Sequence, residues 1–319
     1  MAKETKVTVI GHFARDVYHL MNSGKEEVVE TLGGIFYSVA ALSVLLASED
    51  KIFPVFGIHE DEYDKIVEQL QRFGNVDPKG VYKTKEKTNE VHFFSNPSGG
   101  RTECSKHIAS PIPFSRIKPL LDVDGILINM ASGFDILLET LDNIRMNVRD
   151  DGIPIHFDFH SLTLGVDDEQ ARFRRPLSDW RRWCFMLHSI QLSEPEAAGL
   201  TAERCDEATL INQLMPLMVS GLVITRGESG ATLIRQEHKK LFRHDIPGIG
   251  VSAVVDTVGC GDVFGAAFFA EYLKSKDLVK AAEAGNKAAS FKSTFRGPDG
   301  LESLRQPPAS TPPAARAEG

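Results

Sequence analysis

Short β-rich runs alternate along this chain with longer stretches of helical spacing, and that alternation constrains the fold more than any other feature. The runs are KVTVIG (6–11), KIFPVFGI (51–58), GILINM (125–130), IPIHFDF (153–159), SIQLS (189–193) and LVITRG (222–227). Helical stretches stand among them: LGGIFYSVAALSVLLAS (32–48), EDEYDKIVEQLQRFG (60–74), DILLETLDNIRMNVRD (135–150) and DEQARFRRPLSDWRRWCFML (168–187). Strands separated by helices join in parallel through crossovers, and the helices cover both sheet faces. The predicted class is therefore α/β, a doubly wound, mostly parallel sheet with helices on both faces. One domain is expected over residues 1–305.

Two stretches break the rhythm. Residues 13–31 are polar with no clear helix, and residues 87–115 read as strands joined by a Pro-Ser-Gly-Gly turn. Both are expected to pair as a small β-sheet lid over the carboxyl edge of the main sheet. A lid of few strands leaves apolar residues such as Val17, Val91 and Phe93 in need of cover. The closing segment QPPASTPPAARAEG (306–319) is Pro- and Ala-rich and reads as a disordered tail.

Composition excludes some classes. A net charge of −8 argues against a nucleic-acid partner, because phosphate backbones select basic surfaces. No apolar run is long enough to cross a bilayer, and the first residues carry no apolar signal stretch, so no membrane partner and a cytoplasmic location are expected. Cys104, Cys184, Cys205 and Cys260 lie far apart with no CxxC pair, which points to free thiols rather than a zinc knuckle or disulfide framework.

The chemistry concentrates in DTVGCGDVFGAAFFAEYL (256–273). A glycine-rich loop aims successive backbone N–H groups at one point, and a helix starting after it adds its positive end. Together they make an anion hole suited to a phosphate. An aspartate there is misplaced as a phosphate ligand. It is well placed as a base that takes a proton from a hydroxyl attacking the phosphate. The plain alternative is that Asp256 or Asp262 only caps the helix.

DTVGCGD closely resembles the D-T-x-G-A-G-D signature of the ribokinase, or PfkB-type, carbohydrate kinase family, with Cys260 at the usual alanine. The resemblance runs over roughly residues 6–300. GHFARD sets Gly11 and Asp16 at the family's first sugar-contacting spacing, and LGGIFYSVAAL sets Gly33 and Gly34 at its twin-glycine motif. VITRGESGA resembles the T-x-G-x-x-G element beside the nucleotide phosphates, through Thr225, Gly227 and Gly230. AGNKAAS resembles the late helix bordering the adenine, with Asn286 in the matching place. FDFH resembles a D-x-N strand end, with Asp158 matching and His160 in place of asparagine. Two positions depart from the pattern: Ser38 stands where an acceptor-touching asparagine is usual, and SEPE carries Ser193 in the N-x-x-E motif while keeping Glu196.

The resemblance implies an ATP-dependent phosphotransferase acting on a hydroxyl of a small sugar or polyol. Asp262 would be the base, and Gly259, Cys260 and Gly261 the anion hole. Asp16, Gly33, Gly34, Ser38, Asp158, His160 and Arg101 would hold the acceptor, and Ser193, Thr225, Gly227, Gly230 and Asn286 the nucleotide. Glu196 would order Mg2+ through water. Cation-activated relatives imply K+ at the Asp256 loop, and relatives in which a second subunit covers the lid imply a lid-mediated homodimer. The alternatives are a nucleoside kinase on the same fold, with Phe13, Phe36 and Tyr37 either stacking a base or packing in the core, or a non-catalytic nucleotide- or sugar-binding regulator.

Other patterns carry less. There is no G-x-x-x-x-G-K-[ST] P-loop, and neither GIGVSA nor GCGDVFG sits at the first strand–helix turn that a dinucleotide fingerprint needs. His156, Asp158 and His160 lie on one face of a strand, where three metal ligands seldom converge; a substrate edge for Asp158 and His160 over a buried His156 fits better. RFRRPLSDWRRW reads as a solvated helix face over packed tryptophans. Arg101, at the lid tip, either closes on an anionic substrate group or sits in solvent.

Overall fold

The computed structural model describes residues 3–22, 25–95 and 101–305. The expected tail at 306–319 and the Pro-Ser-Gly-Gly tip within 96–100 lie outside the described residues.

The chain begins with β1 (Lys6–Ile10), whose Val7, Val9 and Ile10 are all fully buried, as a central parallel strand requires. It then leaves the main sheet for β2 (Phe13–Asn22) and β3 (Lys25–Gly34), and returns through α1 (Ile35–Leu45). Almost every residue of α1 is buried, which is the pattern of a helix enclosed on all sides. Next come β4 (Lys51–His59), α2 (Glu60–Gln71) and β5 (Val81–Thr84). In α2 only Ile66 and Leu70 are buried, and Glu60, Asp61 and Glu62 sit in the first turn, where the helix dipole favours acids.

A second excursion forms β6 (Asn89–Ser95) and β7 (Arg101–Lys106). The short α3 (Phe114–Ile117) leads to β8 (Gly125–Asn129), α4 (Leu138–Val148) and β9 (Ile155–Asp158). A small hairpin of β10 (Leu164–Val166) and β11 (Arg172–Arg174) precedes α5 (Trp180–Cys184) and β12 (Ser189–Ser193). The last part holds α6 (Glu194–Gly199), α7 (Glu207–Leu214), β13 (Gly221–Thr225), β14 (Gly230–Glu237), β15 (Lys240–Pro247), α8 (Cys260–Ser275) and α9 (Leu278–Lys292).

Among the described residues, nine strands form one sheet in the order β15-β14-β13-β12-β9-β8-β1-β4-β5. Strands β13 to β5 in that order are parallel, and β14 and β15 add an antiparallel edge. The chain winds one way from β1 to β4 and β5, then the other way from β8 to β13. The reversal lies between β1 and β8, and a crevice opens beyond the carboxyl ends of strands at such a point.

The two excursions pair with each other as one sheet in the order β3-β2-β6-β7. Asp16 lies opposite Thr31 on one side and beside Val91 on the other. Val17, Val91 and Phe93 are buried within the chain itself, so the need for outside cover expected from the sequence does not arise at these residues. Among the described residues no helix is long and apolar enough to cross a membrane.

The stretch 168–187 differs from its expected helix. Only Trp180–Cys184 is helical, and Arg172–Arg174 is a strand. Cys104 bridges to Ala171, so β11 is drawn to the edge of the lid, and Pro176 follows it. Tertiary pairing overrides helical spacing here. The tryptophans do pack inward: Trp180 and Trp183 are buried.

Candidate active site

Helix α8 starts with the loop that the sequence singles out. Its N-cap, Gly259, has φ +80°, and a Cβ there would lie 2.5 Å from the Tyr37 ring, so only glycine fits both the turn and the contact. The Cys260 N–H is turned back to the Thr257 carbonyl at 3.3 Å. The N–H groups of Gly261 and Asp262 have no acceptor among the described residues. These donors at a helix start form the anion-attracting end of the cavity.

Asp262 lies in the first turn of α8 and is 4% exposed. Its Oδ1 accepts from Asn129 Nδ2 at the carboxyl end of β8. The same Asn129 nitrogen donates to Ser38 Oγ at 3.0 Å, and Ser38 Oγ donates to the Asp262 carbonyl at 3.4 Å. Ser38 therefore stands behind Asp262 and frames it, and does not line the cavity in front: its side chain is short, and it is 1% exposed. Asn129 was not anticipated. Its signal was a lone amide in the otherwise apolar run GILINM. Gly11 packs against the backbone of the same residue.

The cavity, about 90 Å³, is lined by Asp16, Gly34, Tyr37, Phe93, Arg101, Glu103, His160 and Arg172, and by Thr257, Val258, Gly259, Gly261 and Asp262 of the loop. Asp16 comes from β2, and its carboxylate occupies the space that a Cβ on Gly33 would need, 2.2 Å away. Tyr37 donates to Asp16 Oδ2 at 3.1 Å. Burial, with the nearby charges of Asp262 and Asp256, pushes the Asp16 carboxyl up to about 7, against the Tyr37 hydrogen bond and Arg172.

Arg101 stacks its guanidinium 4.8 Å over the Phe93 ring and donates through Nε to Glu103 at 2.9 Å. Arg172 reaches Glu103 at 3.3 Å and donates to Ser105 Oγ at 2.6 Å. Burial would raise the Glu103 carboxyl, but Arg101 and Arg172 together hold it below the usual range. Glu103 and Arg172 line the cavity although neither was singled out; Arg172 lay within the charged run read as a solvated helix face.

Asp158, at the end of β9, accepts from the His160 N–H and from Gln191 Nε2, each at 3.2 Å. Burial raises its carboxyl strongly. His160 lines the cavity; burial alone would lower its imidazole, but Asp262, Asp158 and Glu196 together raise it. His156 is fully buried against Phe268 and bonds Ser189 Oγ at 2.8 Å. Among the described residues no group of three His, Cys, Asp or Glu side chains is placed to hold a metal ion.

Ser193 and Thr225 are register partners at the carboxyl ends of β12 and β13. Ser193 and Glu196 make a reciprocal capping box: Ser193 N–H donates to Glu196 Oε2 at 2.7 Å, and Glu196 N–H to Ser193 Oγ at 3.4 Å. The second Glu196 oxygen has no partner among the described residues. That single free carboxylate oxygen fits a hydrated Mg2+ arriving with phosphates, and does not form a resident cage. Gly227 lies in the turn after β13, and Gly230 opens β14. Asn286 donates to the Pro247 carbonyl at 2.8 Å and lines a separate open cleft of about 480 Å³ with His244, Ile246, Pro247, Ile249 and Val279.

Beside Asp256, where the resemblance implies potassium, the structure places two hydrogen-bond donors and an ammonium group. Asp256 Oδ1 accepts from the Val258 N–H at 3.0 Å and Oδ2 from the Tyr18 hydroxyl at 2.9 Å. The charge that balances this carboxylate is the Lys292 ammonium, 3.8 Å from Oδ2 and fully buried.

Residues 173–302 match the profile of the pfkB family carbohydrate kinases. That match covers the last strands and helices of the main sheet and includes the glycine loop and Asp262. The nucleoside kinase of Methanocaldococcus jannaschii is 36% identical over 73 residues, a match that spans 23% of this chain and 23% of that relative. Solved structures share the fold at greater length. A pyrophosphate-dependent kinase in the ribokinase family superposes with a TM-score of 0.73 at 18% identity, over 94% of this chain and 99% of its own. The ribokinase of Thermotoga maritima gives 0.71 at 17%, over 95% and 99%. These structures share the doubly wound core under a small lid.

Proposed function

We propose that this chain, like the carbohydrate kinases its residues 173–302 resemble, transfers the γ-phosphoryl group of ATP to a hydroxyl of a small sugar or polyol. One observation carries the reading: the Asp262 carboxylate, held from behind by Asn129, faces the same cavity as Asp16 while free N–H groups at the start of α8 face it too. Asp262 Oδ2 takes the proton from the attacking hydroxyl as its oxygen bonds to phosphorus and ADP leaves. The N–H groups of Gly261 and Asp262, with Gly259 shaping the turn, stabilise the charge on the transferred group. Magnesium bound with the donor's phosphates would neutralise them, and Glu196 would hold its waters.

Asp16, Arg101, Glu103, His160 and Arg172 would orient the acceptor, with Gly33 and Gly34 making room and Asp158 holding the His160 backbone. A cavity rich in paired charges suits a compact polyhydroxylated molecule. One structural relative is complexed with myo-inositol and a pyrophosphate analog, and another with ribose and ATP. The open cleft at Asn286 supports a nucleotide donor over bare pyrophosphate, because a pyrophosphate would leave it unused. Thr225, Gly227, Gly230 and Ser193 would flank the donor's phosphates.

A nucleoside acceptor has less support. Phe13 and Phe36 are buried in the core, with Phe13 stacked 5.7 Å from Phe56. Of the three aromatics expected to stack a base, only Tyr37 lines the cavity, and its hydroxyl is engaged by Asp16.

A panel of sugars, polyols and nucleosides, each with ATP or pyrophosphate and Mg2+, tests the reading by product release. Turnover of a small sugar or polyol with ATP supports it. Turnover of nucleosides alone moves the assignment to a nucleoside kinase. Nucleotide binding without turnover of any acceptor leaves a regulator.

A further inference from the structure

The last residue of α9, Lys292, is the only buried lysine among the described residues, and no step above uses it. Its ammonium donates to the Phe295 carbonyl at 3.0 Å, lies 3.8 Å from Asp256 Oδ2, and faces the rings of Tyr37 at 5.5 Å and Phe295 at 5.1 Å. A charged group removed from water persists only where such partners surround it. Its partners belong to the frame of the site. Asp256 begins the glycine loop, and Tyr37 both bonds Asp16 and packs on Gly259. The Val255 and Asp256 N–H groups donate to the Ser293 carbonyl at 2.8 and 3.2 Å, so the loop is already laid along the end of α9.

We infer that Lys292 serves as a tethered monovalent cation, neutralising Asp256 and positioning the 256–261 loop, so that this chain needs no potassium. Asp256 carries one negative charge, and its two oxygens accept from Tyr18, Val258 and the ammonium side. A second cation there would leave an uncompensated positive charge in a buried site. Burial lowers the Lys292 ammonium from its usual range, opposed first by Asp256 and then by Cys260, Asp262 and Asp16, so four neighbouring groups favour its charged form. Lys292 touches neither the acceptor cavity nor the donor cleft and is a positioning residue.

The inference rests on the kinase reading only for its rate measurement. In wild-type protein the rate with an acceptor identified by the panel should agree within about twofold in KCl, NaCl and choline chloride at equal ionic strength. The wild-type melting temperature should likewise not distinguish these salts. In Lys292→Ala, kcat should fall by about a hundredfold, with the KM for acceptor changed less than about threefold. Ammonium or potassium at about 0.1 M, but not choline, should restore part of both the rate and the melting temperature. A potassium-specific rise in the wild-type rate or melting temperature overturns the inference, as does a soluble Lys292→Ala that no small cation restores. If Lys292→Ala does not fold, the wild-type salt series decides alone. Absence of turnover in every salt, with a salt-indifferent melting temperature, counts against the kinase reading and leaves the tethered cation standing.

Discussion

In the proposed reaction, Asp262 and the Asn129 amide bonded to it form the pair on which the chemistry would depend. Asp262→Asn should lower kcat at least about a hundredfold, because an amide cannot take the hydroxyl proton, while ATP affinity stays measurable. A variant retaining more than about a tenth of the wild-type rate would remove Asp262 from the role of base. Asn129→Ala should cost about tenfold in kcat by freeing the Asp262 side chain, with a smaller change in KM. Asp16 supplies a pH signature. Its carboxyl is raised from 3.8 to about 7, so the charged form is disfavoured in the folded state. A raised acid takes up protons on folding, and its contribution to stability therefore declines as pH rises from about 4 to about 7. Asp16→Asn should accordingly melt higher than wild type at pH 8 and lose that advantage near pH 4. The same group should make kcat/KM for the acceptor climb through about pH 7, and a flat wild-type profile across that region would argue that Asp16 does not meet the acceptor.

The lid is the element whose behaviour tests acceptor binding. Val91 and Phe93, on the face shared with Asp16 and Tyr18, are buried, while Met21 and Val28 on the opposite face are 63% and 52% exposed. Phe93 supports the Arg101 guanidinium and packs on Tyr18 with ring centroids 5.2 Å apart. Acceptor should therefore slow amide exchange across 91–94 and 101–104, the strands that carry Phe93, Arg101 and Glu103. Phe93→Ala should raise the acceptor KM by about tenfold, with a much smaller effect on ATP. Unchanged exchange at these strands on saturation with a verified acceptor would separate the lid from the acceptor site.

The two windings of the sheet place every part of the site on one edge. Asn129 and Asp158 end β8 and β9, Ser193 and Thr225 end β12 and β13, and α8 starts over the same edge. No ion-binding cluster was found among the described residues, and a cation that comes with the donor should matter to the reaction and not to the fold. EDTA should abolish turnover, Mg2+ should restore it, and the melting temperature of the free protein should stay the same throughout. A melting temperature that drops with EDTA would reveal a structural metal.

The sequence alone determined the parallel α/β class, the position of the glycine loop and its aspartate, and the two interruptions that became the lid. These are local signals: strand runs such as KVTVIG, helix-scale apolar stretches and the DTVGCGD spacing each lie within a few turns of chain. Tertiary structure alone decided which side chains meet. Arg172 lay in a run with helical spacing, yet pairing of Ala171 with Cys104 made it a strand that delivers a guanidinium to Glu103. Asn129 and Ser38 are separated by 91 positions and join behind Asp262 only when α1, β8 and α8 pack together. Lys292 reads on its own as one more charge near a helix end, and it became a buried counter-ion because the Asp256 loop folds back along α9. Periodicity records which face of an element is buried; it holds no record of which buried polar group lies opposite, and the charges of this site are balanced through those opposing groups.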